Sequence, residues 1–271
     1  MRYFSLLLFL SLFFHISVRG QNGSRELVNS TYQYGGLVRL DSTKKSIYLT
    51  FTGGDFGEGT MDVCRTLKKY QIPANFFFTG DFYRNNNNRK AIKKLMKDGH
   101  YLGPHSDKHL LYASWEDRDL LLVTKDSFRS DLLANFQIMN DRGIKSEGIR
   151  FFMPPYEWYN DSISYWSREL GLQLINFTAG TRSNADYTTT DMGKRYVPSE
   201  MIMQSIFDYE AKDPHGLNGF ILLLHVGAGP GRVDKFYTYL PRLIKDLKRL
   251  GYQFALLNDN KGNLTTGLRN K

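Results

Sequence analysis

Phe220-Ile221-Leu222-Leu223-Leu224-His225-Val226 is a nearly unbroken apolar run that carries one titratable side chain near its end. A run this short and this apolar reads as a buried strand. Residues 233–250 after it read as a long helix, and 252–257 as a last strand. The same alternation holds upstream. Strand-like runs at 46–52, 75–79, 101–104, 149–153 and 172–177 are separated by helical stretches at 61–70, 89–97, 162–170 and 199–210. Between the third and fourth runs, 117–139 carries Leu121, Leu122, Phe128, Leu132, Leu133 and Phe136 at helical spacing. Seven strands separated by helices imply parallel strands joined by crossover helices, an α/β fold. Either a β/α barrel or a doubly wound sheet satisfies that pattern. In both, chemistry gathers at the C-terminal ends of the strands, so candidate residues should stand just after them.

The N-terminus bears on where the chain works. Met1-Arg2-Tyr3-Phe4, an apolar run over 6–14 broken only by Ser11, and Val18 and Gly20 before Gln21 describe a secretory signal peptide over 1–20. The alternative is an uncleaved anchor, but the run is shorter than the ~18–20 apolar residues that comfortably span a bilayer. The expected product is secreted or periplasmic, with no stable membrane span once the signal is cut. Residues 21–45 read as a polar N-terminal arm, 46–260 as one catalytic domain and 261–271 as a tail.

Cys64 is the only cysteine, so no intramolecular disulfide forms, and it reads as a buried small apolar residue. The formal charge of +9 falls to +7 without Arg2 and Arg19. Its Lys and Arg residues are spread along helical segments without a clustered arm or nucleic-acid motif, which argues against a nucleic-acid partner. An anionic matrix would suit such a surface, although solvated helix faces explain it as well. Sequons begin at Asn22, Asn29, Asn160, Asn176 and Asn263, with Asn176 in a strand expected to be buried.

Gly103-Pro104-His105-Ser106-Asp107-Lys108-His109 follows a strand. Two histidines four residues apart fall on one side of a helical turn, where both imidazoles can point at one ion. Surface or capping histidines give the same spacing, so the pair is weak alone. His225 ends a second strand and can act as a general acid near neutral pH; a satisfied core histidine is the alternative. Asp186-Tyr187 could orient it, Asp55 follows the first strand, and Pro154-Pro155-Tyr156 makes a stiff wall after the fourth.

Taken in order, these residues resemble the polysaccharide deacetylases with a NodB homology domain, carbohydrate esterase family four. His105, Ser106 and His109 match the family's His-Ser/Thr-x-x-His. Pro155-Tyr156 match its Arg-x-Pro-Tyr/Phe with Met153 in place of Arg, Asp186-Tyr187 resemble its Asp-Trp, and Leu224-His225 match its Leu-His. The resemblance implies a distorted barrel of seven parallel strands and a metal-dependent hydrolase. It would remove acetyl groups from a cell-wall or extracellular polysaccharide, most often the N-acetyl group of N-acetylglucosamine. It also implies a divalent metal, zinc, on His105, His109 and an aspartate, and His225 tuned by Asp186 as acid. Pro155, Tyr156, Trp158 and Leu224 then become candidate substrate contacts.

The first motif departs. Where the family has Thr-Phe-Asp-Asp-Gly-Pro, this chain has Thr50-Phe51-Thr52-Gly53-Gly54-Asp55, and an ungapped match puts Thr52 and Gly53 at the two carboxylate positions. Three readings stay open. A bulge at Gly53-Gly54 brings Asp55 to the metal, using φ values open to glycine. Asp55 is instead the base, or the barrel is a catalytically inactive glycan binder. An O-acetyl esterase is a further alternative, and Glu157 is a spare carboxylate on the same rim.

Overall fold

All seven expected strands form, and the longer ones are buried on both faces and can satisfy their backbone only beside other strands. The computed structural model describes residues 27–259. The expected signal peptide, the sequons at Asn22 and Asn263 and the expected tail lie outside the described residues. In chain order the strands are β1 (Thr31–Gln33), β2 (Gly36–Arg39), β3 (Ser46–Gly53), β4 (Asn75–Phe78) and β5 (Tyr101–Pro104). They continue as β6 (Phe151–Phe152), β7 (Gln173–Leu174), β8 (Phe220–His225) and β9 (Gln253–Phe254).

β8, β3, β4 and β5 lie side by side in parallel, and β6 pairs with β7. The amide of Met153 donates to the carbonyl of Pro104 at 3.3 Å and ties β6 to β5. On the other side Leu37 bridges Ile175, and Arg39 of β2 pairs antiparallel with Phe220 of β8. The strands therefore curl into a distorted barrel rather than an open doubly wound sheet. β9 pairs with the first residues of β3, at the end opposite the candidate chemistry.

The stretch read as an arm, 21–45, thus contributes two strands to the barrel wall. A two-residue turn joins them, with Tyr34 at φ 46° and Gly35 at φ 70°. Positive φ at both central residues is what a tight hairpin needs, and Tyr34 hid that signal.

The helices are α1 (Thr60–Tyr70), α2 (Gly80–Arg84), α3 (Arg89–Lys97), α4 (Lys125–Asp141), α5 (Asp161–Glu169), α6 (Ser199–Lys212) and α7 (Leu240–Arg249). Two start later than their apolar spacing suggests. α4 begins at Lys125 because the Thr124 side chain accepts from the amide of Ser127 and caps it there. Leu121 and Leu122 belong to the preceding loop. α7 begins at Leu240, with Pro241 in its first turn, and Val233 stands 92% exposed in the loop before it. Among the described residues no helix is long and apolar enough to cross a membrane. Cys64 is buried on α1, and burial pushes its thiol up to about 11.

Candidate active site

Three segments that follow β5, β6 and β8 meet at the barrel mouth. After β5 the chain does not make the helical turn that the His-x-x-x-His spacing suggests. Ser106 sits at φ 70° and His109 at φ 54°, so 105–109 is a loop with two left-handed residues. The rings of His105 and His109 still end 5.0 Å apart. Helix α4 holds this loop by two side chains one turn apart. Asn135 Oδ1 accepts from the His105 amide at 3.0 Å. The Asp131 carboxylate accepts from the amides of Asp107 and Lys108 at 3.1 and 2.9 Å, and from the Tyr112 hydroxyl at 3.2 Å.

His105 Nδ1 lies 2.9 Å from the Met153 carbonyl. A carbonyl can only accept, so Nδ1 carries the proton and Nε2 keeps its lone pair, the state of a metal-ligating imidazole. Burial holds His105 well below the usual histidine range, with the charge of His109 adding to that. Burial likewise takes His109 down to about 4 against the opposing pull of Asp55. Both rings are neutral at pH 7, as ligands must be.

After β8 the polarity is reversed. Asp186 Oδ1 lies 2.6 Å from His225 Nδ1, and Asp186 Oδ2 accepts from the His225 amide at 2.8 Å. Burial alone would lower the His225 pKa, but the Asp186 carboxylate outweighs it and Glu157 adds to the effect, so the net shift is upward. Tyr187 lies against the ring at 5.1 Å. The loop carrying Asp186 is pinned by Arg232, 1% exposed, which donates to the carbonyls of Thr188, Val197 and Asp234 at 2.7, 2.9 and 2.5 Å. Neither Arg232 nor the Asp131–Asn135 pair stands out in the sequence. Their roles depend on loops distant along the chain, and only the one-turn spacing of Asp131 and Asn135 was legible.

After β6, Pro155–Glu157 forms a single 3-10 turn with Tyr156 at φ 58° and Glu157 at φ 54°. Tyr156 is 45% exposed, with its ring 4.4 Å from that of His109. Trp158 packs rather than offering an open face. Its Nε1 donates to the Ser114 carbonyl at 3.0 Å, the Arg118 guanidinium lies 3.4 Å from its ring centre, and Trp115 lies 5.2 Å away. Trp115, absent from the sequence reading, is the more exposed ring. Leu224 and Pro155, expected at the substrate, are buried, so their side chains shape the wall from behind.

The first motif explains itself by packing. Thr52 is buried beside His225 in the strand register, and its hydroxyl has no hydrogen-bond partner among the described residues. Gly53 is needed for room: a Cβ there would stand 2.7 Å from Val226 Cγ2 and 2.9 Å from Phe78 Cδ1. Neither Gly53 nor Gly54 has positive φ, so the turn into Asp55 does not use the left-handed backbone open to glycine. Asp55 is exposed, and lines a cavity of about 610 Å³ with Phe56, Glu58, Met61 and Asn87. Its charge reaches His109, but among the described residues no three His, Cys, Asp or Glu side chains converge as a metal-binding group. The structure therefore joins His105 to His109 and His225 to Asp186, and leaves Asp55 apart from the pair. As a donor set the two imidazoles fit a divalent ion, with its remaining positions left to Asp55 or water.

Comparison with known proteins gives relatives of similar sequence and solved structures of similar fold. The chain is 25% identical over 240 residues to the peptidoglycan-N-acetylmuramic acid deacetylase PdaA of Bacillus subtilis, covering 88% of this chain and 80% of that one. It is 24% identical over 222 residues to a peptidoglycan-N-acetylglucosamine deacetylase of Bacillus cereus, covering 81% and 90%. A CE4 family pseudoenzyme from Bacillus anthracis superposes with a TM-score of 0.65 at 17% identity, over 86% of this chain and 70% of that one, a likeness of fold alone. The family model described as polysaccharide deacetylase matches residues 39–175, half of the sequence and most of the strand ends described above, and the chain belongs to that family.

Proposed function

We propose that this chain is an exported, metal-dependent deacetylase that removes N-acetyl groups from an N-acetylglucosamine-containing cell-wall or extracellular glycan. The carrying observation is the opposition of two histidine sites across one mouth. His105 and His109 are held neutral, while His225 is held toward its charged form and its charge is felt by both. The peptidoglycan substrates named for the relatives support the substrate class.

His105 and His109 would hold a divalent cation, zinc being suited to imidazole donors, with Asp55 as the carboxylate whose charge reaches His109. When bound, such an ion polarises an acyl carbonyl and lowers the pKa of water. His225 supplies the proton to the leaving amine from Nε2, because Asp186 occupies Nδ1 and favours the charged form of the ring. Tyr156 covers the side of the site next to His109. Secretion or periplasmic export rests on the N-terminal signal pattern.

The test is acetate release from N-acetylated chito-oligosaccharide and peptidoglycan with zinc supplied. His105→Ala/His109→Ala is expected to lose both bound metal and activity. Activity that survives the double substitution sinks the proposal. A second reading, a glycan-binding barrel without catalysis, is favoured by the packing that closes Gly53 to a carboxylate. Glycan affinity without acetate release under any metal would select it, and release from O-acetylated xylan alone would select an esterase.

A further inference from the structure

A deacetylase needs a base for its water, and the family's place for one is closed in this chain. Thr52 offers a neutral hydroxyl that cannot take a proton near pH 7, and a side chain at 53 would strike Val226 and Phe78. Asp55 is exposed, and the proposed metal site uses it as the carboxylate whose charge reaches His109.

Across the mouth, the chain bends sharply to place another carboxylate. Tyr156 and Glu157 are consecutive left-handed residues, a conformation that costs energy for side chains other than glycine and persists only when neighbours impose it. The neighbours are present. The Glu157 amide donates to the Pro154 carbonyl at 3.1 Å, and Asn176 Nδ2 donates to the Glu157 carbonyl at 2.8 Å. The Trp158 amide donates to the Pro155 carbonyl at 3.2 Å, and Trp158 is locked in turn under Arg118. Two prolines stiffen the entry. Tyr156 is thereby set against His109, while Glu157 is half-buried and faces the charges of His225 and Asp186. The turn thus touches His109 through Tyr156 on one side and brings the Glu157 carboxylate within range of the His225 and Asp186 charges on the other.

We propose that Glu157 is the general base of this enzyme, replacing the first-motif aspartate whose position Thr52 occupies; the role rests on the deacetylase reading. The Glu157 carboxylate takes one proton from water as the water oxygen bonds to the acetyl carbonyl carbon. The carbon–nitrogen bond then breaks, its electron pair stays on nitrogen, and nitrogen takes the proton from His225 Nε2. Acetic acid and the free amine leave, and Glu157 returns its proton to solvent while His225 regains one. Burial, with Asp186 adding and His225 opposing, pushes Glu157 up to about 7, close to the working pH that favours proton transfer.

The experiment compares wild type, Glu157→Gln and Glu157→Asp on N-acetylated chito-oligosaccharide, with bound zinc measured on each. Glu157→Gln is expected to lose at least about 100-fold in kcat with KM and zinc content little changed, Glu157→Asp to keep an intermediate rate, and the acid limb of the pH profile to vanish in Glu157→Gln. A Glu157→Gln rate within about fivefold of wild type overturns the proposal. Wild type that releases no acetate refutes the deacetylase reading and the base role with it. The placement of Glu157 is then read separately from the ring titration of His225 by NMR. Removing the Glu157 charge should lower the His225 pKa, and an unchanged titration overturns the placement.

Discussion

The rim after β5 and the rim after β8 use the same residue type for opposite ends. At the first, His105 gives its Nδ1 proton to a backbone carbonyl and His109 pairs with no carboxylate among the described residues, so burial decides and both rings stay neutral. At the second, a carboxylate at 2.6 Å overrules burial and holds His225 toward its charged form. The partner of Nδ1 decides whether a buried imidazole serves as electron-pair donor or proton donor. The supports differ in the same way. α4 anchors the first rim through Asp131 and Asn135, whereas the buried Arg232 anchors the second through three carbonyls.

The contrast breaks most sharply at Asp186. Asp186→Asn leaves His225 with an amide that no longer favours its charge, and acetate release should fall about 10²–10⁴-fold. The alkaline limb of the pH profile should also move to lower pH. A loss under about tenfold would mean that His225 is not the acid.

Next in size is the pair of anchors. Arg232→Met strips hydrogen bonds from three carbonyls, two of them buried, and should cost about 3 kcal/mol in urea unfolding. Asp131→Ala frees two amides and one hydroxyl and should cost about 2 kcal/mol. The rims predict different side effects: Asp131→Ala should weaken zinc retention, and Arg232→Met should spare it. Equal loss of zinc in both would erase the distinction between the rims.

A third contrast is the pH dependence of stability in metal-free protein, and its sign differs between the rims. His225 has a folded pKa raised above 6.5, so its stabilisation is fully present below that value and is lost as pH rises through the raised one. His109 has a folded pKa of about 4, so stability is lost as pH falls from 6.5 toward 4, where the unfolded chain takes up a proton that the folded ring refuses. Urea midpoints across pH should flatten on the alkaline side in His225→Gln and on the acid side in His109→Gln. Flattening on the same side in both would contradict the assignment.

The strand ends were legible where an apolar run meets a titratable residue: Phe220–His225 ends on a histidine, and Tyr101–Pro104 is followed at once by His105. The hairpin at Tyr34-Gly35 was not legible, since its turn lacks the usual Asn or Asp before glycine. Nor was the loop form of 105–109, because a spacing of four is the same number in a helix and in a loop bent by two left-handed residues.

Composition and periodicity determined that this is a parallel α/β chain with its titratable residues gathered at one end, because burial of alternating elements is a local property of the residues. Tertiary structure alone decided that the sheet closes through β2. It also decided that Gly53 is crowded by Phe78 and Val226, and that Glu157 comes within range of the His225 and Asp186 charges. Those outcomes depend on contacts between segments that lie far apart along the chain. A carboxylate becomes an acid, a base or a solvated surface charge only through what surrounds it.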